Sequence, residues 1–237
     1  MGKAGQSVLV AQGPEAGPDD PDILRAEIDH LRRELARKDL LLRAALHRAR
    51  STSGSITSLI SLQMREMRDP AVRAALELTR SRIAAMGRAH RLVSDSGDGK
   101  SLDLGRLLRD LVGALAEALE AAERRIAIQV TTDAPDILTS AAIPLALIAN
   151  ELIGNALRYA FRDRRSGRVQ VALRVDGGRL TLSVRDDGIG ISDKTLALGS
   201  SGLFLVRSLA ADLGARLDIL RDEGTLITLT MAADRAV

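Results

Sequence analysis

Leu24, Ile28, Leu31, Leu35 and Leu42 recur at three-, four- and seven-residue steps among Arg, Glu and Lys. This is the narrow apolar seam of a coiled-coil helix, which needs a partner helix to cover it. The helical pattern continues past His47 through Ile56, Leu59, Ile60, Leu62 and Met64 to Asp69-Pro70, where the proline drives its predecessor out of the helical region. A second helix is predicted from about Ala71 to Val93, with Val72, Leu76, Ile83 and Met86 inward. Two antiparallel helices of this length enclose no core, so the economical solution is a four-helix bundle made by two chains, and a homodimer is expected. The stretch Ser94 to Lys100, SDSGDGK, has linker composition and is expected to part a helical hairpin over 21–95 from a second domain over 101–237.

The second segment mixes helical and strand periods. Leu104, Leu107, Leu108, Leu111, Val112, Leu115 and Leu119 give the helix Asp103 to Glu123 a broad apolar face, and Ile126, Ile128 and Val130 alternate as a strand over Arg125 to Thr131. A helix capped near Ser140 runs to Tyr159. Val169, Val171, Leu173 and Val175, then Leu180, Leu182 and Val184, flank Asp176-Gly177-Gly178 as a hairpin. A last helix through Leu205, Val206, Leu209 and Leu213 stops at Gly214, before strands at about Arg216 to Leu220 and Thr225 to Met231. The fold class expected is α+β: the helical hairpin, then an α/β sandwich with helices on one face of an antiparallel sheet.

Composition narrows the function. The 237 residues are 46% hydrophobic and 27% charged, but Tyr159, Phe161 and Phe204 are the sole aromatics, so the cores are aliphatic. The formal charge of +3 comes with arginines scattered among carboxylates, which argues a mixed solvated surface and no nucleic-acid partner. Absence of cysteine rules out disulfides and thiolate metal sites. No apolar run approaches the ~20 residues of a membrane helix and no signal peptide is visible, so no membrane partner and a cytoplasmic location are expected. Residues 1–20, rich in Gly, Pro and small residues, read as a disordered tail. A myristoylation start at Gly2 is discounted because Gln6 stands where that motif wants Ser or Thr.

Candidate chemistry gathers in two places. Leu182 to Gly190, LSVRDDGIG, is a strand that hands Asp186 and Asp187 to a glycine-containing turn. A carboxylate so placed can accept a hydrogen bond from an exocyclic amine such as that of adenine; the alternative is an ordinary Asp-Gly turn. Glu151, Asn155 and Arg158 share one face of the preceding helix. They offer a proton acceptor, a divalent-ion ligand and a phosphate contact, which a nucleoside triphosphate with magnesium would use, or else they are solvent-facing helix residues.

Taken in order, the stretches Asn150 to Phe161 (NELIGNALRYAF), Asp186 to Gly190 (DDGIG), Ser201 to Val206 (SGLFLV) and Gly224-Thr225 resemble the four ATP-binding boxes of the GHKL, or Bergerat-fold, ATPase and histidine-kinase superfamily. The first half, with Leu40-Leu41-Leu42-Arg43 before His47-Arg48 and Ile56 to Gln63 after it, is similar to the dimerisation and phosphoacceptor domain of the HisKA_2 type, a relative of the HWE kinases. The resemblance covers about residues 36 to 231 and implies His47 as phosphoacceptor, Glu151 as the carboxylate of the first box, Asn155 on Mg2+ and Arg158 at a phosphate. It further implies Asp186 on the adenine amine of ATP, Gly188 and Gly190 at the base of a lid, Gly202 and Leu203 by the phosphates, and Thr225 behind the adenine. The partners implied are a second copy of the chain and the receiver domain of a response regulator, whose aspartate takes the phosphoryl group. His30 and His90 are read as structural.

The phosphoacceptor box departs from the family. Where relatives carry Glu three residues before the histidine and Asn four after, this chain has Ala44 and Ser51. The helical neighbours of His47 are then Arg43, Ala44, Arg50 and Ser51, with no carboxylate to take the imidazole proton and two guanidiniums to favour a neutral ring and an attached phosphoryl group. The lid between Gly190 and Gly202 is short. A two-component histidine kinase is the first expectation, a histidine phosphotransferase or pseudokinase scaffold with weak autokinase activity the second, and an anti-sigma serine kinase the third.

Overall fold

The computed structural model describes residues 21–95, 101–133, 137–162, 166–192 and 201–233. The expected tail over 1–20, residues 96–100 of the linker stretch and nearly all of the expected lid lie outside the described residues. The side chains of Leu42, Arg43, Leu46 and Arg50 lie outside them too. The chain divides into two units, Met1–Ala45 and Leu46–Val237.

The described part of the first unit belongs to helix α1 (Pro21–Glu66), and its seam is open: Leu24 is 44% and Leu35 70% exposed. In the second unit α1 ends before a turn whose Asp69 accepts from the Ala71 amide at 2.8 Å. That cap starts α2 (Pro70–Asp95), with proline at a first-turn position where its missing N–H costs nothing. The two helices approach closely: a Cβ placed on Gly87 would lie 3.5 Å from the Ser53 Cβ. Just beyond His47, Ser53, Ser55, Thr57, Ser58 and Ser61 each bond back to a carbonyl four residues earlier. These bonds satisfy hydroxyls that would otherwise compete with the helix.

Val72 is exposed and Leu76, Ile83 and Met86 are half-buried, whereas Ala85, Gly87, Ala89, Leu92 and Val93 are buried. Ala85, Ala89, Leu92 and Val93 join the core of the sheet domain, and the small Ala85 and Ala89 let α2 approach it closely. Helix α2 packs along α4 (Thr139–Tyr159) and touches α3 (Leu104–Ala118). Its C-terminal end leads to β1 (Ser101–Leu102), which pairs with β3 (Ile137–Leu138), and β3 runs straight into α4. The C-terminal end of α2 and the N-terminal end of α4 therefore meet at one ribbon, and the two helices run antiparallel from it.

Asp103 caps α3 by accepting from the Arg106 amide at 2.7 Å. The main sheet has the order β2 (Ile126–Thr132), β4 (Gly167–Asp176), β5 (Arg179–Asp186), β7 (Thr225–Ala232), β6 (Arg216–Arg221). All its pairs are antiparallel except β2 with β4. The expected all-antiparallel sheet is corrected there, because α4 connects these strands as a crossover. Helices α3, α4 and α5 (Ser201–Asp212) share a core with Val171, Leu173, Leu182, Val184 and Leu229, while Gln129, Gln170 and Arg174 face out.

Helix α4 also corrects an expectation. Ser140–Tyr159 is long and apolar enough to cross a membrane by length and composition, with a mean hydropathy of 1.4, but 72% of it is buried inside the protein. Its apolar residues are core, packed between the sheet and α2.

Candidate functional site

A cavity of about 480 Å³ opens beside the C-terminal half of α4. Leu152, Asn155, Ala156 and Tyr159 line it at steps of three and four, which is one stripe of the helix. Opposite stand the end of β5, with Asp186, and the start of β7, with Thr225, paired in register. Asp186 is only 5% exposed. Burial pushes its carboxyl above the usual carboxylate range, and hydrogen bonds from the Gly188 amide and from the amide and hydroxyl of Thr225 pull the other way. The Gly188 amide donates to Oδ1 at 3.0 Å. The result is a fixed, largely dehydrated acceptor facing an apolar slot of the size a nucleoside base and sugar need.

Glycine sets this turn. A Cβ on Gly188 would strike the Ala160 carbonyl, which accepts from the Ile189 amide at 2.9 Å. Gly190 has φ +76°, and Gly224 has φ +131° with its missing Cβ aimed at the Asp186 carbonyl. Only residues without a side chain fit there.

The phosphate end of the site is the N-terminus of α5. Leu203 lines the cavity, while a Cβ on Gly202 would run into Glu151 Oε2 and lie 3.6 Å from Asn155 Nδ2. The start of α5 thus lies beside Asn155, and a helix N-terminus suits an anion. The described residues include no group of three His, Cys, Asp or Glu side chains able to hold a metal. The Asn155 amide oxygen fits Mg2+ carried in with substrate phosphates, since that ion is usually held by one or two protein ligands plus phosphate and water.

Asn155, Asp186, Gly190, Leu203 and Thr225 line the cavity, and Gly188 and Gly202 support it from behind. Arg158 does not line it. Its side chain folds back along α4 over Gly154, where a Cβ would come within 2.7 Å of Nη1, and that nitrogen is buried without a hydrogen-bond partner. The guanidinium at the cavity is Arg162, stacked 4.7 Å over the Tyr159 ring. Its sequence signal is the three-residue step from Tyr159. His47 sits exposed on α1, away from the cavity lining.

Glu151 is fully buried, and its carboxylate reaches α2 while lying against Gly202 at the start of α5. Arg82 Nε and Nη2 donate to its Oε1 and Oε2, both at 2.9 Å, and Asn150 Nδ2 adds a 3.4 Å contact to Oε1. One residue earlier, Ser81 Oγ donates to Asn150 Oδ1 at 2.9 Å. The carboxylate raises the Arg82 pKa above its usual value. Sequence periodicity leaves Arg82 on a polar helix face and gives no sign of this partner.

Comparison with known proteins places two matches on this architecture. Residues 45–119 match the HisKA_2 family, described as histidine kinase, and residues 140–235 match HATPase_c, the histidine kinase-, DNA gyrase B- and HSP90-like ATPases. Over 197 residues the chain is 30% identical to blue-light-activated histidine kinase 2 of Erythrobacter litoralis, covering 81% of this chain. The chain spans 56% of the length of that curated relative. Its fold is similar to the solved histidine kinase domain of a blue-light-activated histidine kinase from Erythrobacter litoralis, with a TM-score of 0.65, 26% identity, and coverage of 84% of this chain and 95% of that one. A longer solved form of that kinase matches with the same TM-score over 82% of this chain and 60% of its own.

Proposed function

We propose that the chain, whose residues 45–119 match the HisKA_2 histidine kinase family and residues 140–235 the HATPase_c family, is a histidine kinase that autophosphorylates His47 from ATP and passes the phosphoryl group to an aspartate of a response regulator. In this reading residues 21–95 form the dimerisation and phosphotransfer hairpin of a cytoplasmic homodimer, and residues 101–237 bind ATP. Asp186 accepts from the adenine amine with Thr225 behind the ring. Gly190 lets the chain turn at the base of the lid, and Asn155 with the start of α5 at Gly202 and Leu203 receives the phosphates. Mg2+, when bound, screens phosphate charge. A ring nitrogen of His47 attacks the γ-phosphorus as the bond to the ADP oxygen breaks, and Glu151 is the carboxylate available to take the ring proton.

One observation carries the reading: Asp186 on a strand end, Asn155 on a helix and the start of a second helix converge on one cavity although they are far apart in sequence. Incubation with ATP labelled at the γ-phosphate and magnesium tests it. An acid-labile label that maps to His47 is expected, and its absence together with absent nucleotide binding refutes the reading.

A second reading, a phosphotransferase or weakly active scaffold, is favoured by the side chains around His47. Ala44 and Ser51 are exposed and supply no carboxylate. The HisKA_2 match over residues 45–119 supports a histidine acceptor over a serine-directed anti-sigma kinase.

A further inference from the structure

The outward face of the main sheet carries a cavity of about 310 Å³. Side chains alternate along a strand, so this face holds the residues between those of β5 and β7 that line the nucleotide cavity from the other side. The sheet register sets them in rows. Thr131, Ala172 and Ser183 stand abreast in the middle row. Gln129, Gln170, Arg185 and Leu226 form the row on one side of it, and Arg174 stands on the other side. All of them line the cavity. Ala172 and Ser183 are short where their neighbours are long, and this difference in length hollows a bowl in an otherwise level face.

Two arginines reach the bowl from opposite ends. Ala172 pairs with Ser183 across antiparallel strands, with Arg174 two residues further along β4 and Arg185 two residues further along β5. Their Cα atoms therefore flank the Ala172–Ser183 pair, each about 7 Å along the strand from it. The Arg174 side chain has no hydrogen bond or ion pair among the described residues. Arg185 meets Asp222 through Nη2 alone, at 2.9 Å, in an exposed pair that solvent screens. The hydroxyls of Thr131 and Ser183 and the carboxamides of Gln129 and Gln170 complete the polar lining, and no carboxylate belongs to it. Asp218 shares the middle row but stands two strands from Ser183, on β6, where Arg216 Nε holds it at 2.9 and 3.0 Å.

We propose that this bowl is a binding site for a small phosphate-bearing ligand, held between Arg174 and Arg185 with the hydroxyls of Thr131 and Ser183 beneath it. A guanidinium presents a planar fork that meets phosphate oxygens two at a time, and two such forks converging from opposite ends suit a tetrahedral anion. The volume stands at the low end of ligand sites, which fits pyrophosphate or a compact phosphate ester. The site is independent of the kinase reading, because Asn155, Asp186 and Thr225 belong to the cavity on the opposite face of the sheet.

Inorganic pyrophosphate is the probe, titrated without magnesium into the full chain while backbone amide NMR shifts are followed. Saturable shifts centred on Thr131, Ala172 and Ser183 are expected, with a dissociation constant below about 1 mM. Arg174→Gln should weaken binding by about tenfold or more, as for loss of a hydrogen-bonded charge. Arg174→Lys keeps the charge but not the fork and should fall between. Ala172→Leu leaves every charge in place and fills the bowl, and it should weaken binding as much as Arg174→Gln. Both positions lie on the solvated face of the sheet, so neither substitution disturbs the core. Citrate, of similar charge but with planar carboxylates, should bind at least about fivefold more weakly. Equal binding of citrate overturns the phosphate assignment. The site itself is overturned if no shift saturates, if shifts scatter over exposed arginines or gather only around Asn155 and Gly202, or if Arg174→Gln and Ala172→Leu leave the affinity unchanged.

Discussion

Asp186 and Thr225 face each other across β5 and β7 as the last and first residues of their strands, with the Thr225 amide and hydroxyl both directed at the Asp186 carboxylate. The sheet register thereby fixes the acceptor that the nucleotide reading needs. It also places Gly224 where an added Cβ would strike the Asp186 carbonyl.

Asp186→Asn is expected to leave the fold intact and weaken ATP binding by about 10–100-fold, the range for losing a hydrogen bond to a charged group. Burial is the largest influence on this carboxyl and raises its pKa. Because the folded value exceeds the unfolded one, the charged group costs the empty protein stability at neutral pH. That cost fades as pH falls through the raised value. The amide variant should therefore melt no lower than wild type at pH 7. Nucleotide affinity of the wild type should start to fall, on acidification, at a pH above the ordinary 3.8. Calorimetry across pH checks both, and a lower melting temperature for the variant contradicts the burial argument.

Gly224→Ala should be severe. At φ +131° an alanine is strained, and its Cβ collides with backbone that has no freedom to move inside a paired strand end. A loss of roughly 2 kcal/mol or more is expected, with ATP binding lost alongside. Thermal denaturation gives the answer, and a variant within about 0.5 kcal/mol of wild type would show that the turn has slack.

Periodicity made most elements legible, since α4, the β4–β5 hairpin and the final strands carry strong, uninterrupted patterns bounded by glycine. That Asn155, Asp186, Gly190, Leu203 and Thr225 gather at one cavity was legible through order and spacing. What sequence withheld was tertiary partnership. Ala85 and Ala89 carry no local signal of burial, and they are buried because α2 docks on α4. Arg82 carries no local sign of its partner, because the fold alone brings it to Glu151, 69 residues away. Arg158 had the right spacing for a phosphate contact, but spacing places a Cα and not a long side chain, which folds over Gly154. The parallel β2–β4 pair has no local signature either.

The open apolar side of α1 makes dimerisation testable. Leu59 and Leu62 are 60% and 58% exposed, and in the first unit Ile28 and Leu31 are uncovered as well. Exposed large residues in such a row on one helix mark an interface. Leu59→Glu with Leu62→Glu should shift the full chain from dimer to monomer in light scattering at micromolar concentration, without loss of ATP binding. A wild-type chain that is monomeric under the same conditions removes the four-helix bundle.

The last expectation concerns His47, where the chain departs from the pattern it resembles. Its ring is exposed, and the helix neighbours Ala44 and Ser51 are exposed and cannot accept a proton as a carboxylate would. Glu151 is held by Arg82. Autophosphorylation therefore has no base on the His47 helix itself, and base assistance is typically worth about 10²–10⁴-fold. Ala44→Glu restores a carboxylate one helical turn away, at the i, i+3 spacing that brings side chains together. It should accelerate labelling by about tenfold or more, and Ala44→Gln, which cannot take the proton, should not. Transfer from a phosphorylated receiver domain back to His47 needs a nucleophilic ring rather than that base, so it should respond to neither substitution. His47→Ala should abolish both reactions. His90 lies on α2 with a buried Nδ1 that has no hydrogen-bond partner, and His90→Ala should spare both. Mass spectrometry of the acid-labile phosphoryl group decides the matter: a label on serine or on His90 sinks the assignment of His47, and equal acceleration by Ala44→Glu and Ala44→Gln sinks the missing-base explanation.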